Sequence, residues 1–113
     1  MQESGIDSQK TFALTGLALE VAQEQAESLG LAGKKLGEAI DRFRASADRT
    51  RSEHEKDELV SEIASRAWGL MVQRELIGFR HENVRWVLDH FEIPEPALKR
   101  LGWRHEDDEA AGN

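Results

Sequence analysis

The sequence contains no cysteine, which excludes disulfides, thiolate metal sites and a cysteine nucleophile. It has no apolar run approaching the roughly 20 residues that a membrane-spanning helix needs. No secretory leader is expected at its start. The opening MQESGIDSQK carries two acids and one lysine, and Thr15 and Gly16 interrupt the apolar patch from Phe12 to Val21; a leader has a basic start and an unbroken apolar stretch. The expected compartment is the cytoplasm, with no membrane partner.

Signatures of catalysis are equally scarce. The four histidines, His54, His81, His90 and His105, include no two that stand three or four residues apart, and helical zinc sites place a pair at that spacing. Glu-x-x-His, the spacing of carboxylate-bridged di-iron bundles, does not occur. There is no phosphate-cradling loop and no evident grouping of Ser, His and acid. The expectation is a protein that is not an enzyme, with no catalytic residue, no metal and no cofactor.

What is present is enough apolar matter to fold and enough charge to stay dissolved: 39% hydrophobic and 33% charged residues in a chain of 113. That length suits one core. The net charge of −7 is concentrated at one end, because Glu106, Asp107, Asp108 and Glu109 supply four of the seven, leaving −3 on the rest. An acidic body disfavours nucleic acid, whose affinity comes from Lys and Arg neutralising phosphates. The organisation expected is a disordered segment over 1–12, one helical domain over 13–104, and a flexible acidic tail over 105–113.

Within the domain the apolar residues recur at intervals of three and four, with no run of alternation, so the fold class is all-α. The pattern predicts a small bundle: one long N-terminal helix, then a helical hairpin and a short C-terminal helix. The first helix is placed from about Gly16 to Ala47, with the stripe Ala18, Ala22, Leu29, Leu36, Ile40 and Phe43. The second is placed from about Glu55 to Phe79, buried almost all round by Leu59, Val60, Ile63, Ala64, Ala67, Trp68, Leu70, Met71, Val72, Leu76, Ile77 and Phe79. A third, from about Glu82 to Phe91, offers Val84, Val87, Leu88 and Phe91. It stops before Pro94, which disfavours helical geometry at Ile93. The last, Glu95 to Leu101, has Pro96 in its first turn and Gly102 just past its end.

Beside the first helix's apolar stripe runs a row of small residues, Ala26, Gly30, Gly33 and Gly37. These glycines can break the segment, since each costs about 1 kcal/mol relative to Ala in a helix interior. A continuous helix with a packing seam is the preferred alternative. Unbroken, it would be about 45 Å long, too long for the rest of the chain to cover. The expected partner is a second copy, packed on a seam of Ala26, Leu29, Gly30, Gly33, Leu36, Gly37 and Ile40.

Three further features each admit two readings. Residues 82–104 fit the outline of a helix-turn-helix, with Lys99, Arg100 and Arg104 placed to meet phosphates, but the second helix is barely two turns long and starts with Glu95. A plain hairpin capping the core is preferred, and nucleic acid stays a disfavoured partner. Arg74 falls on the buried stripe of the second helix, where an unpaired guanidinium would be expensive. A structural pair with Glu38, Asp41 or Asp89 is preferred over an anion site. Trp68 and Trp86 are read as core or its edge, and Trp103 as an anchor for the tail or part of an interface.

Three stretches, SLGLAGKKLGEAI (Ser28 to Ile40), AWGLMVQRELIGFR (Ala67 to Arg80) and FEIPEPALKRLG (Phe91 to Gly102), resemble a family of short, uncharacterised proteobacterial proteins. The resemblance spans about Leu17 to Gly102. It implies a small helical bacterial protein and supplies no catalytic or ligand residues. It also leads one to expect glycine where this chain has Glu92, and a glutamate there speaks against a tight left-handed turn. The function expected from all of this is a homo-oligomeric interaction module, a homodimer, with a DNA-binding regulator as the alternative.

Overall fold

The computed structural model describes the backbone of residues 2–47 and 49–104, with side chains from Thr15 onward. Its elements are α1 (Gln2–Ala47), α2 (Glu53–Leu76), α3 (Asn83–His90) and α4 (Glu95–Leu101). The fold is all-α, as the periodicity predicts, and α1 is unbroken through Gly30, Gly33 and Gly37. It starts at Gln2 rather than near Gly16. No proline occurs before Pro94 to interrupt it. The expected acidic tail lies outside the described residues.

α1 and α2 form an antiparallel hairpin. Its course is marked by Arg49 paired with Glu55, Arg42 with Glu62 at 2.8 Å, and Gln73 Nε2 donating to Ser28 Oγ at 2.7 Å. The turn is fixed from both sides. Arg51 donates to the Phe43 carbonyl at 3.1 Å and to Ser46 Oγ, and lies over the Phe43 ring, so a cation closes the carboxyl end of α1 where the helix dipole favours one. Ser52 caps α2 by accepting from the Glu55 N–H at 3.0 Å, which starts that helix two residues before the expected Glu55.

α2 ends in a Schellman turn. Gly78 has φ 113°, the Phe79 N–H donates to the Arg74 carbonyl at 2.9 Å, and the Gly78 N–H donates to the Glu75 carbonyl at 3.2 Å. α4 ends in the same way: Gly102 has φ 73° and the Trp103 N–H donates to the Leu98 carbonyl at 3.1 Å. Trp103, buried, then folds back on the core with Leu98. Its ring holds the end of α4 against that core. Glu92 is not at positive φ; among the described non-glycine residues only Glu82 is.

The core gathers Leu36, Ala39 and Ile40 of α1, Val60, Ile63, Ala67, Leu70 and Met71 of α2, Val87 of α3, Ala97 and Leu98 of α4, and Ile93 and Trp103 between and beyond them. α2 contacts all three other helices. It is less enveloped than its apolar residues suggest, because Trp68, Leu76 and Phe79 are exposed. The reason is geometric: α3 and α4 are short and leave one side of α2 open.

Candidate interaction surface

α1 is longer than everything that packs on it. Its 46 residues span about 69 Å, against about 36 Å for the 24 of α2. Burial against the rest of the chain begins at Leu29 and continues through Ala32, Leu36, Ala39, Ile40, Phe43 and Ser46, the three-and-four rhythm of one helical face. From Thr15 to Ser28 every residue is exposed. The amino-terminal half of α1 is therefore an arm that leaves the body where Gln73 holds Ser28. It presents Leu17 at 57%, Leu19 at 66% and Val21 at 45% exposure, with Leu31 at 51% close to its base.

Beside that base, α1 and α2 enclose an open groove of roughly 290 Å³. Leu31, Ala32 and Leu70 supply its apolar part, and Lys35 and Arg66 stand at its polar side. Gly69 also lines it, and no atom lies within 4 Å of where a Cβ would stand there, so the missing side chain leaves room.

The residues predicted as a self-association seam are divided by the fold. Leu36 and Ile40 are core residues of this chain, at 0% and 3% exposure. Leu29 is partly buried against the same core. Gly33 faces Phe91, whose Cζ would lie 3.6 Å from an added Cβ. Ala26 and Gly30 are exposed and Gly37 is half-buried with open space beside it. Of the three glycines only Gly33 meets Phe91, at a distance that would be ordinary van der Waals contact for a Cβ, and that contact across the bundle is one that linear spacing does not reveal.

Of the basic residues considered for phosphate contact, Lys99 and Arg104 are exposed. Arg100 is engaged within the chain, donating to Asp57 Oδ1 at 2.7 Å and to Ser61 Oγ, and so pins α4 to the start of α2. Arg44 is likewise tied to Glu92 at 2.6 Å. Among the described residues no group of His, Asp or Glu is arranged to hold a metal.

Arg74 is buried as expected, but its partner is different. Its Nε donates to Asn83 Oδ1 at 3.0 Å, and its guanidinium lies between two rings, 4.4 Å from the centre of Phe79 and 3.8 Å from that of Trp86. Asn83 Nδ2 donates in turn to the Phe79 carbonyl, and His90 stacks on the far face of the ladder at 4.0 Å from Trp86. No carboxylate among the described residues is paired with it; Asp89 lies nearest Arg85, at 3.9 Å. Burial pushes the Arg74 pKa below its ordinary value. The pair of rings and the amide substitute for the expected acid, because an arginine is weakly hydrated and flat enough to stack.

The architecture defines the class: an all-helical protein made of a long hairpin, two short helices that close one side of it, and a helical arm. The chain belongs to a family described as a family of unknown function, DUF6665, whose model matches residues 9–108. No curated protein and no solved structure matches it. Among the described residues no helix is long and apolar enough to cross a membrane.

Proposed function

We propose that the protein is a non-catalytic helical interaction module that self-associates through the amino-terminal half of α1. The observation that carries this reading is the exposed arm. A lone helix is marginally stable in water, and most helical stability in proteins comes from packing an apolar face. Here a stretch bearing Leu17, Leu19 and Val21 has no such face to pack on among the described residues. Association supplies the missing contact, and a second copy carries the same surface and is always available.

Light scattering coupled to size-exclusion chromatography tests the reading. The chain is expected to pass from monomer to dimer as concentration rises. The double substitution Leu17→Glu with Val21→Glu is expected to hold it monomeric, while the unfolding of the body, which these residues do not touch, stays the same. A chain that is monomeric at every concentration overturns the reading.

A further inference from the structure

One face of α1 carries a row at alternating four- and three-residue steps: Leu17, Val21, Glu24, Ser28, Leu31 and Lys35. Such spacing keeps side chains on one side of a helix and is the rhythm of helix-on-helix seams. The row is unequal along its length. Its first half is acidic, with Glu20 and Glu27 flanking Glu24; its second half is basic, with Lys34 beside Lys35 and Arg66 across the groove. Glu38 lies further along the same side, and Glu62 pairs with Arg42 and lies 3.9 Å from Arg66. The lysines still leave the groove end basic against an arm that carries acids alone from Thr15 to Ser28.

We propose that two copies pair antiparallel along this row, about a two-fold axis near residue 26, so that the acidic arm of each lies in the α1–α2 groove of the other. This rests on the self-association reading above and adds its orientation and contacts. The row is symmetric about that point. Antiparallel pairing sets Val21 against Leu31 of the second copy, Leu17 against the stem of Lys35, and Glu24 against Ser28. Glu20 then comes beside Lys35 and the Arg66 side of the groove, and Gly69 leaves room for the incoming helix. A parallel pair would instead stack each residue on its own copy, Glu24 on Glu24 and Lys35 on Lys35, and like charges across a helix seam are destabilising. Charge therefore selects the antiparallel arrangement, which also keeps Val21 against Leu31.

The test uses two charge reversals in the full chain, Glu20→Lys with Glu24→Lys, and Lys34→Glu with Lys35→Glu. Each alone is expected to weaken dimerisation at least tenfold, and an equimolar mixture is expected to recover a heterodimer. Because the chain has no cysteine, nitroxides can be placed singly at Gln23→Cys and Asp41→Cys. In the antiparallel dimer the axial separation is about 9 Å for the first pair and about 45 Å for the second, from a rise of about 1.5 Å per residue. Equal label distances at the two sites in a dimer, or single reversals that leave dimerisation intact, overturn the orientation while the self-association reading stands. A strict monomer overturns both.

Discussion

Arg74 shows how a single residue can be placed correctly and partnered wrongly. Its position among apolar residues on α2 is legible from periodicity, and so is its need for something to balance the loss of water. The rings that flank it are not. Phe79 and Trp86 reach it only because the chain turns at Gly78, with φ 113°, and again at Glu82, with φ 56°, and no spacing rule encodes where such turns aim a side chain. If the stack holds the guanidinium, Arg74→Lys loses both planar contacts and the Nε bond, and costs about 1–2 kcal/mol. Asn83→Ala strips a partner from Arg74 Nε and from the Phe79 carbonyl together, at about 1–3 kcal/mol. Urea midpoints with unchanged slopes read both. A lysine variant as stable as the parent would show that the rings contribute nothing.

At the level of whole elements, the helix count and the limits of α4 follow from local signals: Pro94 before it, Pro96 in its first turn, Gly102 after it. The start of α2 had a signal that charge density concealed, since Ser52 and Glu55 stand at the spacing of a capping pair within a densely charged stretch. That stretch is ordered by ion pairing, and it titrates. A hydrogen bond from Arg49, aided by the charges of Arg49 and Arg51, outweighs desolvation and holds the Glu55 carboxyl below its usual value. A lowered folded-state pKa contributes stability above the ordinary carboxylate range and loses it as pH falls through the folded value, so the effect belongs to the region below about pH 4.3. Glu55→Gln is expected to flatten the acid limb of a stability profile, modestly because the pair is solvent-exposed. Parallel acid limbs for parent and variant would remove Glu55 from the account. The glycines of α1 are open to a similar check. Gly30 and Gly37 have nothing within 4 Å of an added Cβ, so Ala at each should stabilise the helix by about 1 kcal/mol. Dimerisation should be unaffected, because these positions lie off the Leu17 to Lys35 row; a weakened dimer would return the interface to the small-residue seam.

On the scale of the molecule the chain is extended. The radius of gyration is 20.2 Å, whereas a compact chain of this length has about 13 Å. The sequence makes the continuity of α1 legible, but not its start at Gln2 or how little of it the other helices cover. Whether Leu36 and Ile40 face this chain or another depends on where α2 ends and how α3 returns, and the same apolar stripe serves either arrangement. Hydrogen exchange separates the two halves of α1 directly. Amides from Leu36 to Phe43 lie over the core, so they should open only with global unfolding and exchange at a rate independent of protein concentration. Amides from Thr15 to Glu27 lie on the arm and should exchange rapidly in dilute solution, because a lone helix frays on its own. Raising the concentration through the association range should slow them in proportion to the fraction paired, since a partner that binds the ordered arm stabilises it by mass action. Arm amides that stay fast at high concentration would mean that this half of α1 is not where the chain finds its partner, whatever its apolar residues suggest.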